Sequence, residues 1–323
     1  MRLLFALFCI ASLAAPCAAA SRHIIVIAME NKDASNHASG HEFIYGNKNA
    51  PYINGELSAQ AARANNFVDD TDAHLSQPHY IQMLAGRTVF HDADFTCDQD
   101  PLEPCSDSNK HQNWTTSSGH LMAQLDAALD PTLTWMTYQE GYDPEKTGAC
   151  PIYSDGLYAA KHNPFVYFAD VSGDPPSTDN GYCIAHTREL GQFETDMNAG
   201  TLANFVFITP DLCNDMHGAP SCPTKTVARG DQFLKSFLPP IISWAKKNDA
   251  IIFVTWDESS GSRTMPFFVA GAGVKAGYVS DVKYSHSSEL RTIERIFGLP
   301  VLDAVKHAVD LSDMFDPGVL PDS

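Results

Sequence analysis

The run His23-Ile24-Ile25-Val26-Ile27-Ala28-Met29-Glu30-Asn31 decides how this chain is read. From Ile24 to Met29 it has no polar face. Such a run reads as a strand buried on both sides, the kind found inside parallel sheets. It ends on a carboxylate and an amide. A second run, Ala250-Ile251-Ile252-Phe253-Val254-Thr255-Trp256, ends on Asp257-Glu258. In open α/β sheets, ligands bind at the C-terminal strand tips. Carboxylates gathered there repel one another unless positive charge lies between them, and a divalent cation supplies it. Glu30, Asn31, Asp257 and Glu258 are therefore candidate metal ligands. A polar strand end is ordinary by itself; two acidic ends of this kind make the ordinary reading weaker.

Outward from these runs, strands alternate with helices. Strands are expected at 22–31, 132–138, 204–209, 250–256 and 266–270. Helices are expected at 55–63, in 76–86 opening on Pro78, and at 121–129, 190–198, 227–247 and 287–297, with Pro239-Pro240 interrupting the fifth. This alternation predicts an α/β fold, a three-layer α/β/α sandwich on a mainly parallel sheet. Strands 23–29, 204–209 and 250–256 should be central. No Pro/Gly/Ser linker divides the chain, so residues 21–323 are expected to form one domain.

The first 20 residues read as a signal peptide. Arg2 precedes an apolar run from Leu3 to about Ala15, and Ala18-Ala19-Ala20 suits cleavage before Ser21. That run is too short to span a bilayer. The expected location is periplasmic or secreted. Of eight cysteines, six remain after Cys9 and Cys17 leave. An even count in an oxidising compartment points to disulfides, and no CxxC spacing favours a metal. Cys97–Cys105 and Cys213–Cys222 close short loops, leaving Cys150 with Cys183. The formal charge of -18 becomes -19 when Arg2 is lost. An acidic surface disfavours nucleic acid and stable association with anionic membranes. Oligomeric state is not legible. Asn113-Trp114-Thr115 matches a glycosylation sequon, a weak signal by itself.

Ser76 lies in His74-Leu75-Ser76-Gln77-Pro78-His79-Tyr80. A serine before a proline-initiated helix is commonly an N-cap. The catalytic alternative is a nucleophile at a helix N-terminus, where free N–H groups and the dipole favour an alkoxide and a bound phosphate. A metal touching the hydroxyl would activate it further. Thirteen histidines are present, and for any one of them a structural role is the ordinary reading. His217 stands out, following a strand tip beside a cysteine, with Asp215 placed to orient a neighbour.

Together these segments resemble the bacterial and fungal phosphoesterase family of acid phosphatases and non-haemolytic phospholipases C, within the alkaline-phosphatase superfamily. The matching stretches are Ile24–Asn31, Ser76–Gly86, Ala159-Ala160-Lys161-His162-Asn163-Pro164-Phe165, Asn204–Gly218, Gly230-Asp231, Ile251–Glu258 and Tyr284-Ser285-His286 with the helix to Phe297. They run in order over roughly residues 22–298. The resemblance implies an alkaline-phosphatase-like fold and one metal held by Glu30, Asn31, Ser76, Asp257 and Glu258. It implies Ser76 as nucleophile, with His162 and His217 binding phosphoryl oxygens or protonating the leaving group. Asn31, His74 and His286 are then expected to contact substrate. Leu75, His79 and Ser287 depart from the family's usual Pro, Asn and Tyr, which bears on substrate preference.

The expected activity is an exported, metal-dependent phosphomonoesterase, an acid phosphatase working through a phosphoserine on a small phosphorylated substrate. Hard oxygen ligands suit Mg, Ca or Mn, and a mixed site admits Zn. The alternatives are a phosphodiesterase or phospholipase C with the same site, or an inactive phosphate-binding protein. Retention of both acidic pairs and Ser76 argues against the last.

Overall fold

The computed structural model describes residues 22–37, 40, 42–71, 74–105, 112–129 and 132–321. The expected signal peptide lies outside the described residues. In chain order the strands are β1 (His23–Met29), β2 (Ala62–Ala64), β3 (Phe67–Val68), β4 (Trp135–Gln139), β5 (Thr187–Glu189), β6 (Phe205–Thr209), β7 (Ala250–Trp256), β8 (Thr264–Met265), β9 (Phe267–Gly271) and β10 (Val279–Ser280). Eight of them form one sheet in the order β10-β2-β9-β7-β1-β6-β4-β5, while β3 and β8 form a separate antiparallel pair.

From β7 to β5 every pairing is parallel; β9 pairs antiparallel with both β7 and β2. The expected central strands, β1, β6 and β7, lie side by side. Their apolar runs explain this placement: every residue of β6 and β7 is buried, and so is all of β1 except His23. A strand without a polar face is stable only where both faces are covered. Helix Thr226–Lys247 packs on β7 and β9, and helix Ser76–Ala85 packs against helix His286–Phe297. The result is the α/β sandwich expected from the alternation.

Two local expectations need correction. Pro239 and Pro240 do not interrupt the long helix, which runs 22 residues from Thr226 to Lys247. Both prolines, and the Lys235 and Ser236 carbonyls that lose an N–H partner, belong to solvent-exposed residues. Water can take the place of the missing donors. The expected helix at 55–63 is a wide turn at Ile53–Leu57 followed by a short helix at Ser58–Gln60, and Arg63 belongs to β2.

All three expected disulfides are present: Cys97–Cys105, Cys150–Cys183 and Cys213–Cys222. Asn113 is no glycan acceptor in this fold. It is buried, and its amide nitrogen donates to the Gln99 and Asp100 carbonyls at 2.9 and 3.2 Å. No helix among the described residues is long and apolar enough to cross a membrane.

Candidate active site

The register of the central strands creates the site. Met29 pairs with Trp256, so the next residues, Glu30 and Asp257, emerge side by side. The Asp257 N–H donates to the Met29 carbonyl at 2.9 Å, and the Glu30 N–H donates to the Asp215 carbonyl at 2.8 Å. Asp215 lies in the loop after β6, on the other side of β1. Three strand tips thus deliver Asp257, Glu30 and Asp215 in a row, where the connections from β1's neighbours diverge.

Asn31 turns the chain away from the sheet. Its φ of 49° lies in the left-handed region that asparagine tolerates better than most residues. The turn lets its backbone N–H donate to Asp257 Oδ1 at 2.9 Å and its side-chain amide donate to Glu30 Oε2 at 3.1 Å. On the β6 side, Met216 has a φ of 84° and is fully buried. The loop packs down onto helix Thr226–Lys247 at Gly230, where an added Cβ would lie 2.3 Å from Met216 Cγ. Asp215 Oδ1 accepts the His217 N–H at 2.7 Å, fixing the turn that presents His217.

Ser76 is the first residue of its helix, and the preceding Leu75 makes no side-chain cap. The Ser76 hydroxyl does not serve as the N-cap. It donates to Glu30 Oε2 at 3.1 Å and is fully buried. The expected free N–H groups at this terminus are also partly taken. Pro78 has none, and Gln77 N–H donates to Asp98 Oδ1 at 3.0 Å. Asp98 Oδ2 in turn accepts Lys161 Nζ at 2.8 Å.

His162 lies between two carboxylates. Its Nε2 is 3.2 Å from Glu30 Oε1 and its Nδ1 is 3.4 Å from Asp215 Oδ2. Tyr80, from the helix that starts at Ser76, stacks on its ring at 5.1 Å. His217 is partly exposed; its ring lies 5.5 Å from that of His162, and its Nδ1 contacts the Gly218 carbonyl at 2.8 Å. A nitrogen facing a carbonyl must carry the proton, which leaves Nε2 of His217 available for proton exchange.

Burial dominates the electrostatics. It pushes the Glu30 carboxyl up to about 7, Asp257 to about 8 with Glu30's charge adding to the effect, and Glu258 to about 9 with Asp257's charge adding. Asp215 is raised well above its ordinary value for the same reasons. Burial and then Lys161 push His162 well below the usual imidazole value; burial also lowers His217. Among the described residues, Asp257 Oδ2 is buried without a hydrogen-bond partner, and the contacts of His162 with Glu30 Oε1 and Asp215 Oδ2 are too poorly aligned to satisfy those buried atoms or His162 Nε2. Unshared lone pairs on clustered carboxylates and an imidazole fit a divalent cation. Ligand atoms of Glu30, His162 and His217 lie within 4.8 Å of one another, as do those of Asp69, His79 and Glu258.

Of the residues singled out from sequence, Glu30, Asn31, Ser76, Asp257, His162 and His217 come together. Glu258 and His74 stand on the open side, 3.8 Å apart, and with Asn31, Ser259, Ser260 and Gly261 line a depression of about 500 Å³. His286 is placed differently. It is fully buried, its Nε2 hydrogen-bonds the Asp257 carbonyl at 2.7 Å, and its Nδ1 lies 3.6 Å from Glu289. It therefore backs the Asp257 strand tip from behind, away from the open side.

Sequence reasoning passed over Lys161 and Asp98 and gave Asp215 only an orienting role. It took His79 only as a departure bearing on substrate preference; its Nδ1 meets the Leu75 carbonyl at 2.7 Å and its Nε2 meets Asp69 Oδ1 at 2.9 Å. Burial raises the Asp69 carboxyl, but this hydrogen bond and the His79 charge outweigh it and hold the group below its ordinary value. The usable signal for Asp215 was its position soon after an apolar strand. Lys161 adjoins a candidate histidine, but nothing local marks Asp98.

The chain is 28% identical over 296 residues to the phosphatidylinositol-3-phosphatase of Mycobacterium tuberculosis, covering 91% of this chain and 82% of that protein. It is 24% identical over 258 residues to the acid phosphatase of Aspergillus fumigatus, covering 76% of this chain. The match spans half the length of that fungal protein. Among solved structures, the phosphonate monoester hydrolase of Agrobacterium radiobacter superposes with a TM-score of 0.52 at 12% identity, over 94% of this chain and 78% of that one; the likeness is one of fold. The profile of the Phosphoesterase family matches residues 45–300. Matched over that length, this chain belongs to the Phosphoesterase family.

Proposed function

We propose that this protein is an exported, metal-dependent phosphomonoesterase of acid-phosphatase type, acting through a phosphoserine at Ser76. In this reading residues 1–20 are removed on export and residues 21–323 form one catalytic domain. Three disulfides suit an oxidising compartment. The observation that carries the reading is the Ser76 hydroxyl on Glu30 Oε2, beside Asp257 at the neighbouring strand tip.

Glu30, Asn31, Ser76 and Asp257 are the residues that would hold the cation, with Glu258 on its open side. When bound, a divalent cation supplies charge neutralisation among the carboxylates and Lewis-acid polarisation of a phosphoryl oxygen. Ser76 Oγ attacks phosphorus in line, its proton leaving toward Glu30 Oε2, as the ester oxygen departs. His217 Nε2 gives a proton to that oxygen. Water then attacks the phosphoserine and phosphate is released, regenerating the Ser76 hydroxyl. His162, held between Glu30 and Asp215, orients the carboxylates.

The names of the relatives support phosphomonoester chemistry, and a phosphomonoester on an inositol lipid belongs among the substrates to test. The deciding experiment measures cation-loaded protein against a chromogenic phosphomonoester, a phosphodiester and a phospholipid. Preference for the diester, or for a phospholipid cleaved at its diester bond, would replace this reading with a phosphodiesterase. No turnover of any of the three would leave a phosphate-binding protein.

A further inference from the structure

Two donors that adjoin Ser76 and His162 in the chain are already bound to an anion belonging to the protein. Asp98 lies next to Cys97, inside the loop closed by Cys97–Cys105. Its Oδ1 takes the N–H of Gln77, the residue after Ser76, at 3.0 Å. Its Oδ2 takes Lys161 Nζ at 2.8 Å, and Lys161 precedes His162. A helix N-terminal N–H and a lysine ammonium are the groups that a phosphoryl oxygen on Ser76 would use.

The loop is built to hold this carboxylate in place. Gln77 Nε2 donates to Asn113 Oδ1 at 3.0 Å, and Asn113 donates to the Gln99 and Asp100 carbonyls at 2.9 and 3.2 Å. Asp100 accepts the Ser154 N–H at 2.9 Å, and the Ser154 hydroxyl accepts the Ala160 N–H at 2.9 Å, next to Lys161. The loop is thus tied to the nucleophile helix on one side and to the Lys161–His162 turn on the other. The Asp98 side chain is 25% exposed, so it can rotate off its partners toward solvent without moving this frame. Its charge is also felt at Glu258, whose carboxyl it helps to raise after burial, Asp257, Glu30 and Asp69.

We propose that Asp98 is a specificity-determining residue, an internal carboxylate that competes with the substrate's phosphoryl group for Lys161 and the Gln77 N–H. The inference rests on the phosphomonoesterase reading and adds a determinant of affinity to it. An entering phosphoryl group displaces Asp98 from both donors. After hydrolysis, Asp98 returns to them and helps to expel inorganic phosphate. The protein gives up substrate affinity and gains relief from product inhibition.

The test uses the full exported chain, cation-loaded, with inorganic phosphate as probe. Inhibition of chromogenic phosphomonoester turnover and calorimetric phosphate titration are measured for wild type, Asp98→Asn, Asp98→Ser, Lys161→Met and Asp98→Asn with Lys161→Met. Thermal melts confirm folding. Removing the competing charge should tighten phosphate inhibition by at least about tenfold and lower KM, the scale on which like-charge juxtaposition acts. Lys161→Met should weaken phosphate binding, and in the double variant most of the gain should vanish. Unchanged or weaker phosphate binding in both Asp98 variants overturns the proposal. A fall in kcat with no change in phosphate affinity also overturns it, by making Asp98 a proton donor instead. Absent turnover in wild type defeats the phosphomonoesterase reading alone, because the calorimetric ratio still judges Asp98. Failure of wild type and variants alike to bind phosphate defeats the inference as well.

Discussion

Ser76 Oγ donates to Glu30 Oε2 at 3.1 Å, joining the first residue of a helix to the first residue beyond the central strand β1, 46 positions earlier in the chain. The contact places a hydroxyl among carboxylates that are buried and crowded. It also answers the ordinary reading of this serine. A capping serine stands before its helix and turns its oxygen to the backbone N–H groups of the first turn. Ser76 is already inside the helix, and Leu75 holds the cap position.

Ser76→Ala should therefore lower turnover by several orders of magnitude, as loss of a covalent step does, while costing little stability. Glu30 Oε2 keeps the Asn31 amide as a donor in the variant. The checks are kcat, a thermal melt, and acid-quench trapping of labelled phosphoserine, expected in wild type and absent in the variant. Retention of more than about a tenth of turnover would instead assign the attack to water.

Chelation should abolish turnover and leave a protein whose stability depends on pH in a definite direction. Without a cation the Glu30, Asp257 and Glu258 carboxyls are raised by burial to about 7, 8 and 9. The folded state then binds more protons than the unfolded chain, so its stability falls as pH rises from about 5 to 9. Added Mg, Ca, Mn or Zn should restore stability and release protons on binding. Denaturation midpoints across that pH range, with chelator and with each metal, measure both effects. A chelated protein most stable at pH 9 would contradict the assignment.

His217 should control the fall of activity with rising pH. Burial lowers its pKa below the usual imidazole value, so a proton needed for the leaving group is lost on the acid side of neutrality. His217→Gln should cost about 100-fold in kcat for an alkyl phosphate, within the range for a lost acid–base group. The loss should be much smaller for a nitrophenyl phosphate, whose leaving group needs no proton. Equal losses on the two substrates would remove His217 from the proton-donor role.

The bridge Cys213–Cys222 braces the loop bearing Asp215 and His217. Replacing both cysteines with serine should cost about 2–3 kcal/mol, the scale for closing a short loop. Because the same loop carries the proposed proton donor His217, kcat should fall too. Replacing Cys150 and Cys183 together should lower stability with a smaller effect on kcat per molecule folded. Chemical denaturation and active-site titration separate the two outcomes.

Gly230→Ala tests the same loop from below. The new methyl meets Met216 Cγ at 2.3 Å and the Asn214 carbonyl at 3.2 Å, so the loop must rise from the helix. Overpacking of this kind costs about 1–3 kcal/mol. Displacement of Asp215 from Glu30 should lower kcat beyond what lost stability explains. A variant of full activity would show that the loop tolerates the shift.

Much of this protein follows from local pattern. The runs 24–29, 205–209 and 250–256 have no polar face, so burial on both sides and central placement follow from hydrophobicity alone. Carboxylates at the ends of two such runs announced a charged site for the same reason: a strand that cannot be exposed still has to end. Cysteine spacing likewise anticipated the bridges. The path of the helix through Pro239-Pro240 was not legible, because it depends on which face of that helix meets water.

What only tertiary structure decided is which groups meet. Parallel register sets Met29 against Trp256 and so brings Glu30 and Asn31 to Asp257, the latter from 226 positions away; no local signal fixes a register between distant strands. Asp215 joins them because β6 lies on the other flank of β1. His286 stands behind Asp257 because its helix starts beneath the Asp257 carbonyl. Asp98 reaches Lys161 and the Gln77 N–H through a loop whose sequence is merely polar. The chain's chemistry was written in residue types and strand ends, while partner choice among those residues arose from packing, which brings together side chains that sequence keeps apart.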